Sequence, residues 1–181
     1  ELQAVIDVRL PNYRTGINRD AFVFCAFTGL SHADVVKLTH ADIYTDDNGD
    51  RWIIDRRQKT GTQFRVKLLP VAAMLYDRYK DMHLSGDRVF PLKGTYNTLN
   101  MSLRHVARHA GLSFNPTIHM ARHTYATTAM SFGVPIATIA KTMGHANMKM
   151  TQHYARVLPE KIIKDINVLN TATQTLQTLY Q

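Results

Sequence analysis

Four side chains in the C-terminal third of the chain have the types and spacing for metal-free chemistry on a phosphodiester. His119 and Arg122 stand three residues apart in IHMARHTYAT, His145 follows Gly144 23 residues beyond that arginine, and Tyr154 comes nine residues later in MGHANMKMTQHYA. Residues three apart share one helix face, so an imidazole and a guanidinium there can address the same anion. An arginine offers a phosphate a planar fork of donors matched to two non-bridging oxygens. A phenol with a pKa near 10 is ionised about one part in a thousand at pH 7, a deficit of roughly 4 kcal/mol. Cationic donors offset that deficit by stabilising both the phenolate and the extra charge of a five-coordinate transition state, where one lost donor costs on the order of 3 kcal/mol. His119 and His123, four apart, could instead hold a metal, but metalloprotease-type pairs carry a Glu after the first His, and here that place is Met120. No third carboxylate or thiol ligand lies near them, so neither metal nor cofactor is expected. Each part alone has a plain structural use, and only the joint spacing makes the case.

Whatever positions these groups must be built from 181 residues, of which 45% are hydrophobic. That is enough for one well-buried core, and no shift in composition marks a second domain, so residues 1–181 are read as a single domain. The net charge of +8 and a pI near 9.7 point to a polyanionic partner, most simply nucleic acid. The chain opens with Glu1, which suggests a piece of a longer protein whose N-terminal part is absent. There is no apolar run near 18 residues and no signal-like N-terminus, so membrane and export readings have nothing to rest on and a cytoplasmic protein is expected. The lone cysteine, Cys25, lies in the apolar FVFCAF and reads as a buried inert thiol.

The elements are mostly helical. Pro11 should stop an opening helical turn, and Asn18 is a plausible cap for a buried helix, NRDAFVFCAFTG, with Gly29 just past its end. Ser31 and Asp34 form a capping-box arrangement for the short helix in SHADVVKL. From Ala41 the period changes, and ADIYT, RWIIDRRQ and QFRVKLL read as three short antiparallel strands, with Asn48-Gly49 in the first turn and Lys59 in the second. Pro70 opens a helix over PVAAMLYDRYKDMH, and TYNTLNMSLRHVARHAG makes another, with Leu99, Leu103, Val106 and Ala110 on its apolar face. Arg104, His105 and Arg108 lie off that face, and in a chain this basic they are candidates for phosphate contact. Pro116-Thr117 starts the helix carrying His119 and Arg122, Pro135 starts another that Gly144 closes, and Asn147 can cap a short helix carrying Tyr154. The tail 159–181 spaces Ile162, Ile166, Leu169, Thr173, Leu176 and Tyr180 as the apolar stripe of an amphipathic helix.

The set FTGL with Asp34 shortly after, a Lys in the hairpin (Lys59), HMARHTYAT, MGHANMKMTQHYA and a helical tail resembles the catalytic domain of the tyrosine recombinase, or phage integrase, family over nearly the whole chain. The resemblance implies an α+β fold, mainly α-helical with a small three-stranded antiparallel sheet. It implies that Tyr154 is a nucleophile forming a 3′-phosphotyrosyl intermediate, that Arg122 and His119 bind the phosphate oxygens, that His145 donates to a non-bridging oxygen, and that Lys59 protonates the departing 5′ oxygen. It also implies double-stranded DNA as substrate, strand exchange for integration or excision of a mobile element, and a DNA-bound homo-tetramer joined through the tail, with a monomer in isolation. A catalytically impaired DNA-binding module and a type IB topoisomerase are the alternatives.

One departure matters. Most of the family carries the first catalytic arginine directly after FTGL, and here that residue is Ser31, which looks similar to integrases of mobile elements in Bacteroides-like bacteria. Arg19, the nearest arginine upstream in the helix ending at FTGL, is the expected replacement, with Arg14 as the lesser candidate.

Overall fold

A computed structural model describes residues 1–82, 86–152 and 167. Helices α1 (Leu2–Asp7), α2 (Tyr13–Thr28) and α3 (His32–Lys37) come first, followed by a 3-10 turn at His40–Asp42. Strands β1 (Ile43–Thr45), β2 (Arg51–Arg56) and β3 (Gln63–Lys67) lead into α4 (Pro70–Asp81), α5 (Tyr96–His109), α6 (Ile118–Ser131), α7 (Ile136–Thr142) and α8 (Lys149–Gln152). The strands form one antiparallel sheet in the order β1-β2-β3, with Thr45 opposite Arg51 and Arg56 opposite Gln63. The expected class, mainly helical with a small three-stranded sheet, is therefore observed.

Helix α2 is the axis of the core. Ala21, Phe22, Phe24 and Cys25 are all buried, and α4, α5 and α6 pack around them. Burial pushes the Cys25 thiol far above its ordinary pKa, even with Arg122 nearby to favour the thiolate, which fits an inert core residue. A smaller apolar cluster, Ala126, Ile139 and Met143, joins α6 to α7.

Helix α2 begins at Tyr13, six residues before the start expected from a cap at Asn18. Asn12 is the cap, its side chain accepting from the N–H groups of Arg14 and Thr15, and Asn18 is 5% exposed inside the helix. The start of α2 is tied to α1 through Arg19 and Asp20. Arg19 donates from Nη1 to the carbonyls of Ile6 (2.9 Å) and Val8 (3.3 Å), two of the groups a helix end leaves without partners. Its Nε meets Asp20 at 2.6 Å, and Asp20 also accepts from Arg78 and from the Tyr79 hydroxyl.

The first hairpin loop is also longer than a two-residue turn. Asp46 organises it by accepting from the N–H groups of Asn48 and Asp50 and from the Trp52 indole, while Gly49 takes the left-handed conformation at φ 80°. No helix among the described residues is long and apolar enough to cross a membrane.

Candidate active site

Arg122 is placed by backbone on both sides. Helix α2 ends at Gly29 with φ 69°, and a Cβ there would lie 2.6 Å from the Tyr125 ring, so glycine lets α6 press against the helix end. From that approach Arg122, 8% exposed, donates from Nη1 to the Gly29 carbonyl and from Nη2 to the Met143 carbonyl at 2.8 Å. One guanidinium thus joins the ends of α2 and α7. His119 lies one turn earlier on α6 and is exposed.

His145 enters through the end of α7. Gly144 adopts φ 58°, and the His145 N–H donates to the Ala140 carbonyl at 2.9 Å, the wrapped form of helix end that glycine permits. The imidazole Nδ1 lies 2.6 Å from the Thr151 hydroxyl of α8. Burial, followed by the positive charges of Arg122 and Arg57, pushes the His145 pKa down to about 4. At neutral pH this imidazole is uncharged.

Arg57 was not singled out from the sequence, yet it is the second arginine of this cluster. It follows β2 immediately and is 6% exposed. Nη1 is 2.5 Å from Asp34 Oδ2, Nη2 donates to the Thr142 carbonyl at 3.4 Å, and the guanidinium carbon sits 4.0 Å from the Phe64 ring centroid. Gly144 makes room for it, since a Cβ there would lie 2.6 Å from Arg57 Nε. That Nε is buried without a hydrogen-bond partner among the described residues.

Ser31 works in the same network. Its hydroxyl caps α3 and donates to Asp34 Oδ2 at 2.5 Å, while the Gln58 N–H donates to Oδ1. Burial alone would raise the Asp34 carboxyl, but the Ser31 hydrogen bond and the Arg57 charge outweigh it and hold the group below the usual carboxylate range. Ser31, the residue directly after FTGL, thus holds the carboxylate that pairs with Arg57.

Arg122, His145 and Arg57 are brought together from three separate parts of the sequence. Lys59 lies two residues beyond Arg57, exposed in the β2–β3 turn. Arg104 and Arg108 are exposed on α5, which contains no acidic residue and packs against α6. Arg19 is not brought to the cluster. Ten residues of α2 separate it from Gly29, about 15 Å at the helical rise, and its guanidinium is engaged at α1. Arg14 stands still further from Gly29, in the first turn of α2, whose cap Asn12 accepts from its backbone N–H. Tyr154 and the tail 159–181, apart from Asn167, lie outside the described residues. Among the described residues no group of three or more His, Cys, Asp or Glu side chains could hold a metal ion.

Sequence and fold comparisons place the chain in a class. The phage integrase family model matches residues 10–161, and the chain belongs to that family. It is 29% identical over 131 residues to the tyrosine recombinase XerA of Saccharolobus solfataricus, covering 72% of this chain and 43% of the relative. It is 31% identical over 148 residues to a tyrosine recombinase XerC-like protein of Caldanaerobacter subterraneus, covering 69% of this chain and 37% of that one. The chain thus spans less than half the length of these curated relatives. Among solved structures, its fold is similar to XerA recombinase, with a TM-score of 0.72 at 21% identity over 92% of this chain and 61% of that chain. It is also similar to the Tn1549 transposon integrase in complex with circular intermediate DNA, with a TM-score of 0.70 at 17% identity over 92% and 64% of the two chains.

Proposed function

We propose that residues 1–181 are the catalytic domain of a DNA recombinase that cuts and rejoins strands at specific sites, for integration or excision of a mobile element. The observation that carries this reading is the convergence of Arg122, Arg57 and His145 on one buried cluster at the ends of α2 and α7. In the proposed step the Tyr154 hydroxyl oxygen attacks the scissile phosphorus and the bond from phosphorus to the 5′ oxygen breaks. The DNA 3′ end is left on tyrosine, the phenolic proton passes to solvent, and Lys59 gives a proton to the departing 5′ oxygen. Arg122 and His119 bind the non-bridging oxygens, and His145 donates to one of them. Arg57 supplies the second guanidinium, the role assigned from the sequence to Arg19. The phosphotyrosyl bond keeps the energy of the phosphodiester, so a 5′ hydroxyl from a second duplex can reverse the step.

Double-stranded DNA is the partner, with Arg104 and Arg108 of α5 and Lys59 contacting it. The assembly is a DNA-bound tetramer joined through the tail, the isolated domain is a monomer, and the protein acts in the cytoplasm. What supports the DNA partner is the basic charge, the acid-free exposed face of α5, and the presence of DNA complexes among the structural neighbours.

The test is a nicked suicide duplex from the element's own ends, incubated with EDTA present and run on a denaturing gel. A covalent protein–DNA band that Tyr154→Phe abolishes is expected. Absence of the band from the full-length protein would leave a DNA-binding module without catalysis. Arg19→Ala and Arg57→Ala separate the two arginine assignments: cleavage at the wild-type rate removes the substituted residue from the site.

A further inference from the structure

We infer that Thr151 is a positioning residue: its hydroxyl donates to Nδ1 of His145 and so holds that imidazole as the tautomer carrying its proton on Nε2. The Thr151 hydroxyl lies 2.6 Å from Nδ1, and the residue is 0% exposed. This is the one hydrogen bond of the Thr151 side chain among the described residues. A hydroxyl has a single proton to place, and a neutral imidazole has one donor nitrogen and one acceptor nitrogen. If Nδ1 carried the ring proton and donated to Thr151, the threonine proton would be buried without an acceptor among the described residues, at a cost of about 1–3 kcal/mol. Donation from Thr151 into Nδ1 satisfies both groups and places the ring proton on Nε2.

The charges around the ring point the same way. Arg122 from α6 and Arg57 from the segment after β2 both oppose a second proton, as does burial. The imidazole is therefore neutral, and which nitrogen is protonated decides whether it can donate at the site.

The same hydrogen bond closes the turn between α7 and α8. Asn147 caps helix α8, described over Lys149–Gln152, by accepting from the Lys149 N–H at 2.6 Å. Thr151 is thus the point at which this segment is pinned to His145, three residues before Tyr154 in sequence. That Nε2–H meets a phosphate oxygen rests on the recombinase reading; the tautomer does not.

The experiment has two arms on the 1–181 chain. Nitrogen-15 NMR of the histidine rings, with the His145 signals assigned by His145→Gln, is expected to show the Nε2–H tautomer in the wild type and in Thr151→Ser. A mixture of tautomers is expected in Thr151→Val, which keeps the shape and removes the hydroxyl. An Nδ1–H wild type, or a Thr151→Val spectrum equal to wild type, overturns the inference. In single-turnover cleavage of the suicide duplex, Thr151→Val is expected to be slower by about tenfold, the worth of one hydrogen bond. Thr151→Ser should restore the rate, and Thr151→Val should add no loss in a His145→Ala background. An equal loss in that background would mean that Thr151 acts through folding alone, and would overturn the positioning role. If the full-length protein also gives no covalent product while the tautomer depends on the hydroxyl, the recombinase reading fails and the assignment of Thr151 stands.

Discussion

Substituting Arg57 with alanine tests two roles that can be read separately. In the folded chain Arg57 and Asp34 are 6% and 2% exposed, and they form a pair at 2.5 Å. Removing the guanidinium leaves the carboxylate with the Ser31 hydroxyl and the Gln58 N–H, and breaking a buried pair from one side costs roughly 3–5 kcal/mol. In a chain of this size that lowers the melting temperature by roughly 10 °C. On the chemical side, one lost donor at a developing oxyanion lowers the cleavage rate by about 10²–10³, or roughly 2.7–4 kcal/mol. Arg57→Lys distinguishes the two effects. An ammonium can pair with Asp34 and recover much of the melting temperature, but it lacks the planar fork, so the cleavage rate stays low. The assay is the covalent band from the suicide duplex, measured under single-turnover conditions below the melting temperature of the weakest variant. Cleavage by Arg57→Ala at the wild-type rate per folded molecule would refute the catalytic assignment. Full activity in Arg57→Lys would refute the argument from fork geometry.

Three other outcomes follow from the same site. Gly144→Ala introduces a Cβ 2.6 Å from Arg57 Nε at a residue with φ 58°, so it should lose about 1–2 kcal/mol from the left-handed backbone alone. Its cleavage rate should fall as well because Arg57 must move, and calorimetry with the cleavage assay reads both. The folded His145 pKa of about 4 lies below the value near 6.5 expected of the unfolded chain. Between those values the unfolded chain binds a proton that the folded chain refuses, so stability falls as pH is lowered from 6.5 through 4. His145→Gln should flatten that part of the melting-temperature profile, and an unchanged profile would contradict it. Finally, Arg104→Ala and Arg108→Ala should each reduce the slope of log affinity for duplex DNA against log salt by about 0.9 for every phosphate left without its arginine, measured by titration at several salt concentrations.

Much of the scaffold was legible because its signals are local. Pro70, the capping Ser31 and Thr117, and the glycines at 29 and 144 mark helix ends by chemistry confined to a few residues, and the structure has the helices there. A local signal could also mislead. Asn18 reads as a cap, but α2 extends back to Tyr13 with Asn12 as its cap, and packing buries Asn18 inside the helix. The residues of the site are a different matter. Spacing singled out His119, Arg122 and His145, of which the structure brings Arg122 and His145 together, but it did not single out Arg57, because a residue just past a strand carries no mark of turning inward. Its burial depends on Asp34, 23 residues earlier, and on the absent side chain at Gly144. The choice of Arg19 followed proximity in sequence, and a straight helix converts ten residues of proximity into distance.

The two buried arginines are held in ways that differ in how they can change over evolutionary time. Arg122 hangs on the carbonyls of Gly29 and Met143, and every amino acid brings a carbonyl. Neighbouring side chains can drift without releasing it, provided that Gly29 keeps its turn. Arg57 hangs on Asp34, which in turn leans on Ser31, and it fits only beside Gly144. Losing either Asp34 or the Arg57 guanidinium leaves the other charge buried without its partner, and any side chain at Gly144 meets Arg57. The position of Arg57 is therefore tied to a particular carboxylate and a particular missing side chain, and is harder to vary than that of Arg122.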